Sequence, residues 1–410
     1  MFCLGGKIEL INILVVHGHW YNRGDEAAIR AMVDEIQRRI PDSKITMQIL
    51  AAKHVGMESF VQNNVNILDN YFPRKRDFLE WFIMYVTKGK LAWSSDAKKF
   101  LAEVKEADIV IHAPGGPSIG DIYSKAEWSY FERFLLFKRL EKKYYFYAPS
   151  MGPFCNKFRN IIRKYILKNA VGIVFREEIS GLNFSRLLPD KEYKVTLDSA
   201  FQNSVDFVSN QKIFDRYDRL KEFLKNNDKV IGITITDLQW NGLYQGNIEI
   251  KNKIDDSFNK LLDYLIANGY AVVFIPQLFG EQNDYNYMNS FSRTGTFIVD
   301  DSYDCYFQQY LISKLTAVIG MRYHSNIFSC KLGIPFVSIS YEQKMKGFME
   351  KVDLKQYCID VNQIDDNVLI EKFKLMIHNY DTYREYLQKI REDLRKKSAE
   401  TTDYLIEIIG

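Results

Sequence analysis

LTAVIGMRYHSNIFSCKLGIPFVSIS, Leu315–Ser340, decides the fold because it passes from strand to helix and back to strand within one short stretch. The apolar run Leu315–Ile319 reads as a buried strand, Ser325–Leu332 closed by Gly333 as a short helix, and Phe336–Ile339 as the next buried strand. Arg322 and His324 fall on the strand-to-helix turn, and Tyr341 and Lys344 follow the second strand. Free backbone N–H groups and the positive end of a helix dipole favour a bound phosphate or carboxylate at such a turn, and an arginine adds a bidentate fork. A histidine in the same field holds its proton more firmly once an anion arrives, which makes it a ligand-gated acid or base. The alternative reading pairs Arg322 with a carboxylate across a domain interface and leaves His324 only to cap the helix.

The same alternation extends in both directions. Ile11–Val16 has a buried-strand pattern, HGHWYNRG a turn and Asp25–Ile40 helical spacing. Strands follow near Ile45–Leu50, Ile109–His112, Tyr144–Tyr147 and Gly172–Phe175, with helices at Asp77–Thr87, Asp96–Lys105, Trp128–Lys142, Lys157–Asn169 and Glu177–Leu187. Polar Ser204–Asn210 reads as a hinge, after which a second series begins: helix Asp215–Asn226, strand Val230–Ile235, helix Ile254–Asn268, strands Ala271–Pro276 and Phe297–Val299, then the opening stretch and a helical, charged Asp366–Glu407. The fold class is therefore α/β, with two doubly wound, Rossmann-like domains, residues 1–205 and 206–410, facing each other across a cleft. A length of 410 residues fits two such domains.

Composition excludes several classes. A hydrophobic fraction of 47% and a charged fraction of 26% are those of a globular protein, and a net charge of +3 is too small to argue for nucleic acid. No segment reaches the roughly 18 continuous apolar residues needed to cross a bilayer, and the apolar stretch Ile8–Val16, broken by Glu9 and Asn12, has no basic leader. Five cysteines without CxxC spacing read as reduced thiols, and so as a cytoplasmic protein. Arg74, Lys75 and Arg76 before a helix carrying Trp81, Phe82, Met84 and Tyr85, then Lys88, Lys90 and Trp93, suggest peripheral contact with the inner face of the plasma membrane. That contact requires an exposed Trp81; the alternative buries these aromatics in the first domain.

Other segments carry candidate chemistry. Asp25 either caps the first helix or orients an acceptor hydroxyl. In APGGPSIGD, Ala113–Asp121, the pair Gly115 and Gly116 lets backbone approach a ligand, with Ser118 beside them, although a plain turn explains the segment as well. Arg176 ends the strand Gly172–Phe175 and either reaches into the cleft or pairs with Glu178. There is no Walker loop, no GxSxG elbow, no metal-ligand spacing and no DxD triplet, so no metal or other cofactor is expected.

NRGDEAAI (Asn22–Ile29), PGGPSIGD (Pro114–Asp121), FREEIS (Phe175–Ser180), TLDSAF (Thr196–Phe201) and the block Arg322-x-His324, Gly333-x-Pro335, Tyr341-x-x-Lys344-x-x-Gly347 together resemble the polysaccharide pyruvyl transferase family. The resemblance implies a GT-B-like fold, with the first domain on the acceptor side and the second on the donor side. It also implies transfer of pyruvate from phosphoenolpyruvate onto two hydroxyls of one sugar as a cyclic ketal, in a surface or capsular glycan precursor carried on a polyprenyl lipid. By motif, Arg176, Arg322 and Lys344 would hold the donor's charges, Tyr341, Gly115, Gly116 and Ser118 would line the substrate site, and His324 would move the proton. The role of Asp25 as acceptor of a hydroxyl proton is inferred from position alone. Two alternatives stay open: a GT-B glycosyltransferase using a nucleotide sugar, and a non-catalytic glycan-assembly protein.

Overall fold

The computed structural model describes residues 10–20, 22–50, 65–68, 77–122, 124–202, 205–278 and 283–410. The first sheet has seven strands in the order β3-β2-β1-β4-β6-β8-β9, made of β1 (Ile11–His19), β2 (Ser43–Leu50), β3 (Val65–Leu68), β4 (Ile109–His112), β6 (Lys143–Tyr147), β8 (Gly172–Phe175) and β9 (Lys194–Val195). The second has six in the order β12-β11-β10-β13-β14-β15, made of β10 (Val230–Thr234), β11 (Ala271–Phe274), β12 (Thr296–Ile298), β13 (Ala317–Gly320), β14 (Phe336–Ser340) and β15 (Cys358–Asp360). Every pairing in both is parallel, for example Ile13 with Ile45 and Ile109, and Ile233 with Phe274 and Ile319. Strands buried on both faces need continuous apolar runs, which is what Val230–Thr234 and Ile109–His112 supply.

Two short segments outside the main sheets, β5 (Gly115–Ile119) and β7 (Pro149–Met151), pair with each other at the mouth of the first sheet. The segment read as a plain turn is thus a strand, and glycine is required there: Gly115 and Gly116 have φ of 119° and 106°. The expected hinge is partly occupied by a helix, Phe207–Asp215, capped by Asp206, whose carboxylate accepts from the N–H groups of Val208 and Ser209. The helix expected over Asp215–Asn226 is interrupted at Arg216 and Tyr217 and resumes as Asp218–Lys225. The C-terminal helices divide at Asn379 into Asp366–His378 and Tyr380–Ile409.

The last helix joins the halves. Its start packs on the second sheet, where Tyr383 donates to the Phe336 carbonyl at 2.9 Å. Its end packs on the first, where Tyr145 donates to the Thr401 carbonyl at 2.8 Å and Thr196 meets Thr401 at 2.6 Å. Residues near the C-terminus assigned by sequence order to the second half therefore complete the first. Cys155, Cys305, Cys330 and Cys358 are free thiols; Cys3 lies outside the described residues. No helix among the described residues is long and apolar enough to cross a membrane.

Candidate active site between the lobes

In each sheet the strand order reverses beside its first strand, between β1 and β4 and between β10 and β13, and the loops leaving the carboxyl ends of these strands meet between the lobes. The lobes are tied where Arg23 N–H donates to the Gln277 carbonyl, after β11, at 2.9 Å and Arg23 Nη2 to the Asp301 carbonyl, after β12, at 2.7 Å. The resulting cavity, of about 260 Å³, is lined by His19, Asn22, Asp25 and Gly116 from the first lobe's loops, Arg176 after β8, Trp240 and Leu278, and Arg322, His324, Tyr341 and Lys344 from the opening stretch.

Arg176 is buried and fixed on several sides. Its Nη1 donates to Asp198 Oδ2 at 2.7 Å, its Nε to Ser150 Oγ at 2.8 Å, and its Nη2 makes only a long 3.3 Å contact with the Gly116 carbonyl. Its charge partners are Asp198 and Glu177, the latter at 3.3 Å, and not Glu178, which faces Lys351 at 3.6 Å. The guanidinium also lies 5.1 Å from the Tyr323 ring centre, across the lobe boundary.

His324 meets the first lobe on two sides. Its Nε2 lies 3.6 Å from Asp198 Oδ2, within ion-pair reach and too long for a hydrogen bond. Its other edge faces Gly24, where a side-chain carbon would sit 1.9 Å from His324 Nδ1. Asp198 is thus a shared counter-ion for Arg176 and His324. Burial alone would raise its pKa, but Arg176 and His324 outweigh burial and hold the carboxyl well below the usual range. Ala200 N–H donates to Asp198 Oδ1 at 2.9 Å, and Ser398 on the last helix donates to its carbonyl at 2.6 Å.

Arg322, itself at the N-cap of the helix Tyr323–Leu332, makes a two-pronged ion pair with Asp284 within its own lobe, Nε at 3.1 Å from Oδ2 and Nη2 on Oδ1. The N–H groups of Gln277 and Leu278 donate to the same Oδ2 at 3.0 and 2.9 Å. The guanidinium also lies 4.8 Å from the Trp240 ring centre. Lys344 pairs with Glu342 at 2.7 Å. Each cation of the cavity therefore carries a carboxylate that offsets its burial and fixes its position.

Asn22, not Asp25, caps the first helix: its side chain accepts from Gly24 N–H at 2.7 Å. Asp25, in the first turn, faces the cavity, and among the described residues no hydrogen bond reaches its carboxylate. Beside it, His19 bonds the Tyr130 hydroxyl at 2.9 Å; burial lowers its pKa and the charge of Asp25 pulls the other way. Gly115 backs onto Asp25, and a side-chain carbon at that position would sit 3.1 Å from Oδ1. Ser118 does not reach the cavity; its buried hydroxyl has no partner among the described residues.

Behind His19, His17 and His112 lie 4.9 Å apart, walled by Tyr130, Phe134 and Phe146. Burial pushes His112 down to about 3 and His17 well below the ordinary histidine value. Both are neutral in the fold, so below about pH 6.5 the unfolded chain binds protons that the native chain refuses. Stability present above that pH is lost as pH falls towards 3, by up to about 1.4 kcal/mol per pH unit for each histidine. Between pH 7 and 5, urea unfolding of His112→Phe is expected to lose about 2 kcal/mol less stability than the native chain. Equal losses would mean that His112 is protonated in the fold.

A wider cavity of about 630 Å³ adjoins the first, sharing Arg176 and Tyr323. It runs between the helices Glu178–Leu187 and Gln343–Lys351, and Gly347 opens onto it with no atom within 4 Å of a would-be side-chain carbon. Sequence reasoning assigned no role to Asp198, Asp284, Trp240, His19 or Gly24. TLDSAF and NRGDEAAI were visible as segments, whereas nothing in the sequence marks Asp284.

The fold and this cleft define a two-lobed GT-B architecture. The chain belongs to the polysaccharide pyruvyl transferase family, whose family model matches residues 22–343. It is 23% identical, over 98% of its length and 100% of the relative's, to the amylovoran biosynthesis protein AmsJ of Erwinia amylovora. Among solved structures it is similar to the UDP-GlcNAc 2-epimerase of Neisseria meningitidis (14% identity, TM-score 0.63, covering 97% of this chain and 99% of that one). A UDP-glucosyltransferase of Polygonum tinctorium is similar at 9% identity and a TM-score of 0.55, covering 98% and 99%. At these identities the structural likeness speaks for the fold alone.

Proposed function

We propose that the protein transfers pyruvate from phosphoenolpyruvate to two hydroxyls of one sugar, forming a cyclic ketal on a lipid-carried glycan precursor. The observation that supports this most is the convergence of Arg176 from one lobe with Arg322 and Lys344 from the other on one cavity of about 260 Å³ that also holds His324. That volume is small for a ligand pocket and suits a compact anion better than a nucleotide sugar.

Phosphoenolpyruvate gains a proton at its methylene carbon, C2 acquires cationic character, and one sugar oxygen bonds to C2. The second sugar oxygen then bonds to C2 as the C2–O bond to phosphate breaks. One hydroxyl proton is thereby balanced by the new methyl group, and the other leaves with phosphate. Arg176 and Arg322 hold the carboxylate and phosphate, and Lys344 offsets the charge of the leaving phosphate. His324, oriented by Asp198, delivers the proton, and Asp25 accepts one from a hydroxyl. The acceptor occupies the wider cavity, where glycine at 347 leaves room for a sugar close to the helix backbone.

Incubation with phosphoenolpyruvate and a glycolipid acceptor is expected to release inorganic phosphate and add the mass of a pyruvate ketal to the glycan. His324→Ala should abolish release while phosphoenolpyruvate still binds in calorimetry. Release of nucleoside diphosphate from a nucleotide sugar instead would replace this reading with glycosyl transfer.

A further inference from the structure

The membrane contact expected from Trp81 does not exist in that form. Trp81 is buried, its indole N–H donating to the Glu132 carbonyl at 2.7 Å, and Arg74, Lys75 and Arg76 lie outside the described residues. A different element carries the features that Trp81 lacks. The helix Lys157–Lys168, KFRNIIRKYILK, is apolar on two sides. One side packs inward with Ile166 and Leu167, and Arg163 is locked there by Glu127 at 2.7 Å and Asp121 at 2.8 Å. The other side presents Phe158 at 86% exposure, Ile161 at 70% and Tyr165 at 48%, spaced i, i+3, i+7 along one stripe.

Lys157, Lys164 and Lys168 line one edge of that stripe, all exposed, and the helix has no acidic residue. Beside it runs a groove of about 380 Å³ whose lining includes Lys157, Lys164 and Arg186 together with Asn160 and Asn183, and no carboxylate. None of these three cations is ion-paired among the described residues. The neighbouring helix Ser124–Arg139 adds an exposed Trp128, with Arg159 held 6.0 Å from its ring centre.

The geometry points to this face of the first lobe as a docking surface for an anionic phospholipid bilayer: Phe158, Ile161 and Tyr165 enter the headgroup boundary, and Lys157, Lys164 and Arg186 take lipid phosphates. An apolar stripe bordered by basic residues matches an interfacial helix, and the uncompensated charge matches the negative surface of the partner. A second copy of the chain is the poorer occupant, because a twofold contact would set these lysines against their own copies. The groove's wall, the helix Glu178–Leu187, is also a wall of the wider cavity, so a lipid-borne acceptor would enter beside the anchor. Only that last step rests on the proposed function.

Flotation with vesicles tests it without donor or acceptor. The full chain is expected to bind vesicles of equal phosphatidylcholine and phosphatidylglycerol and not vesicles of phosphatidylcholine alone. Lys157→Glu/Lys164→Glu should cut the partition coefficient at least about 25-fold, each basic residue being worth roughly fivefold. Phe158→Ser/Ile161→Ser should cut it at least about tenfold. Both pairs are solvent-exposed, so unchanged thermal unfolding would show that the fold is intact. Equal binding to both vesicle types, no binding, or full binding by either double variant would overturn the proposal. So would a concentration-dependent dimer that Phe158→Ser/Ile161→Ser dissolves. Phosphate release with a water-soluble acceptor is expected to be the same in the native chain and both variants; its absence in all three would refute the function and leave the docking result standing.

Discussion

Asp198→Asn is expected to lower phosphoenolpyruvate-dependent turnover by about 10³- to 10⁴-fold while the chain stays folded. The carboxylate sits between Arg176, at 2.7 Å, and His324 Nε2, at 3.6 Å, and belongs to the opposite lobe from the histidine. A closure of well under 1 Å would bring it to the ordinary hydrogen-bonding distance of about 2.9 Å. His324 would then be held in one orientation. Asparagine keeps the shape and loses the charge, and its amide can present a donor where the imidazole N–H needs an acceptor. Arg176 keeps Glu177 at 3.3 Å, so the structural cost should be about 1–3 kcal/mol, less than the 5–15 kcal/mol that holds a domain together. Phosphate release under saturating donor reads the turnover, and calorimetry should find phosphoenolpyruvate affinity changed far less than turnover. Turnover within tenfold of the native chain would remove Asp198 from the mechanism.

The legible parts of this molecule were those fixed by local pattern. Apolar runs such as Val230–Thr234 and Ile109–His112 announced central parallel strands because such strands are buried on both faces. The edge strands Val65–Leu68 and Cys358–Asp360 were not foreseen, being short and only partly buried. β5 was masked by its glycines and proline, which read as a turn until Pro149–Met151 supplied the pairing partner. In the site, Arg176, Arg322 and His324 were recoverable because each follows a strand end. Their carboxylate partners were not, since Asp284 reaches Arg322 across 38 positions and Asp198 reaches His324 across the lobe boundary. Ion pairing of this kind has no sequence period.

Those hidden carboxylates bear directly on the proposed anion binding. A cavity with bare buried cations would be costly to fold, whereas Arg176, Arg322 and Lys344 each come with a fixed counter-ion. A ligand therefore meets guanidinium groups already oriented by one partner and spends less of its binding free energy on ordering them. On the proposed function, Asp25, which lacks such a partner among the described residues, is the carboxylate that would respond to an acceptor hydroxyl.

Gly24→Ala is expected to cost about 1–3 kcal/mol of stability and to lower turnover at least about 100-fold, although alanine is the better helix former by about 1 kcal/mol. Gly24 lies in the first turn of the helix Arg23–Arg39, so backbone strain is not at issue. The conflict is with His324: the added carbon would lie 1.9 Å from Nδ1, 2.1 Å from Cγ and 2.5 Å from Cβ, deeper than any side-chain adjustment of a few tenths of an ångström can relieve. Either the imidazole swings away from Asp198 or the lobes separate, and both disconnect the proposed proton donor from its counter-ion. A double-mutant cycle separates this collision from ordinary helix effects. In a His324→Gly background both the ring and its Cβ are gone, so Gly24→Ala should become neutral or slightly stabilising, giving a coupling of at least about 1 kcal/mol in urea unfolding, while turnover stays absent. Additive stability effects would show that Gly24 and His324 do not touch, and the close apposition of first helix and histidine on which the site depends would be refuted.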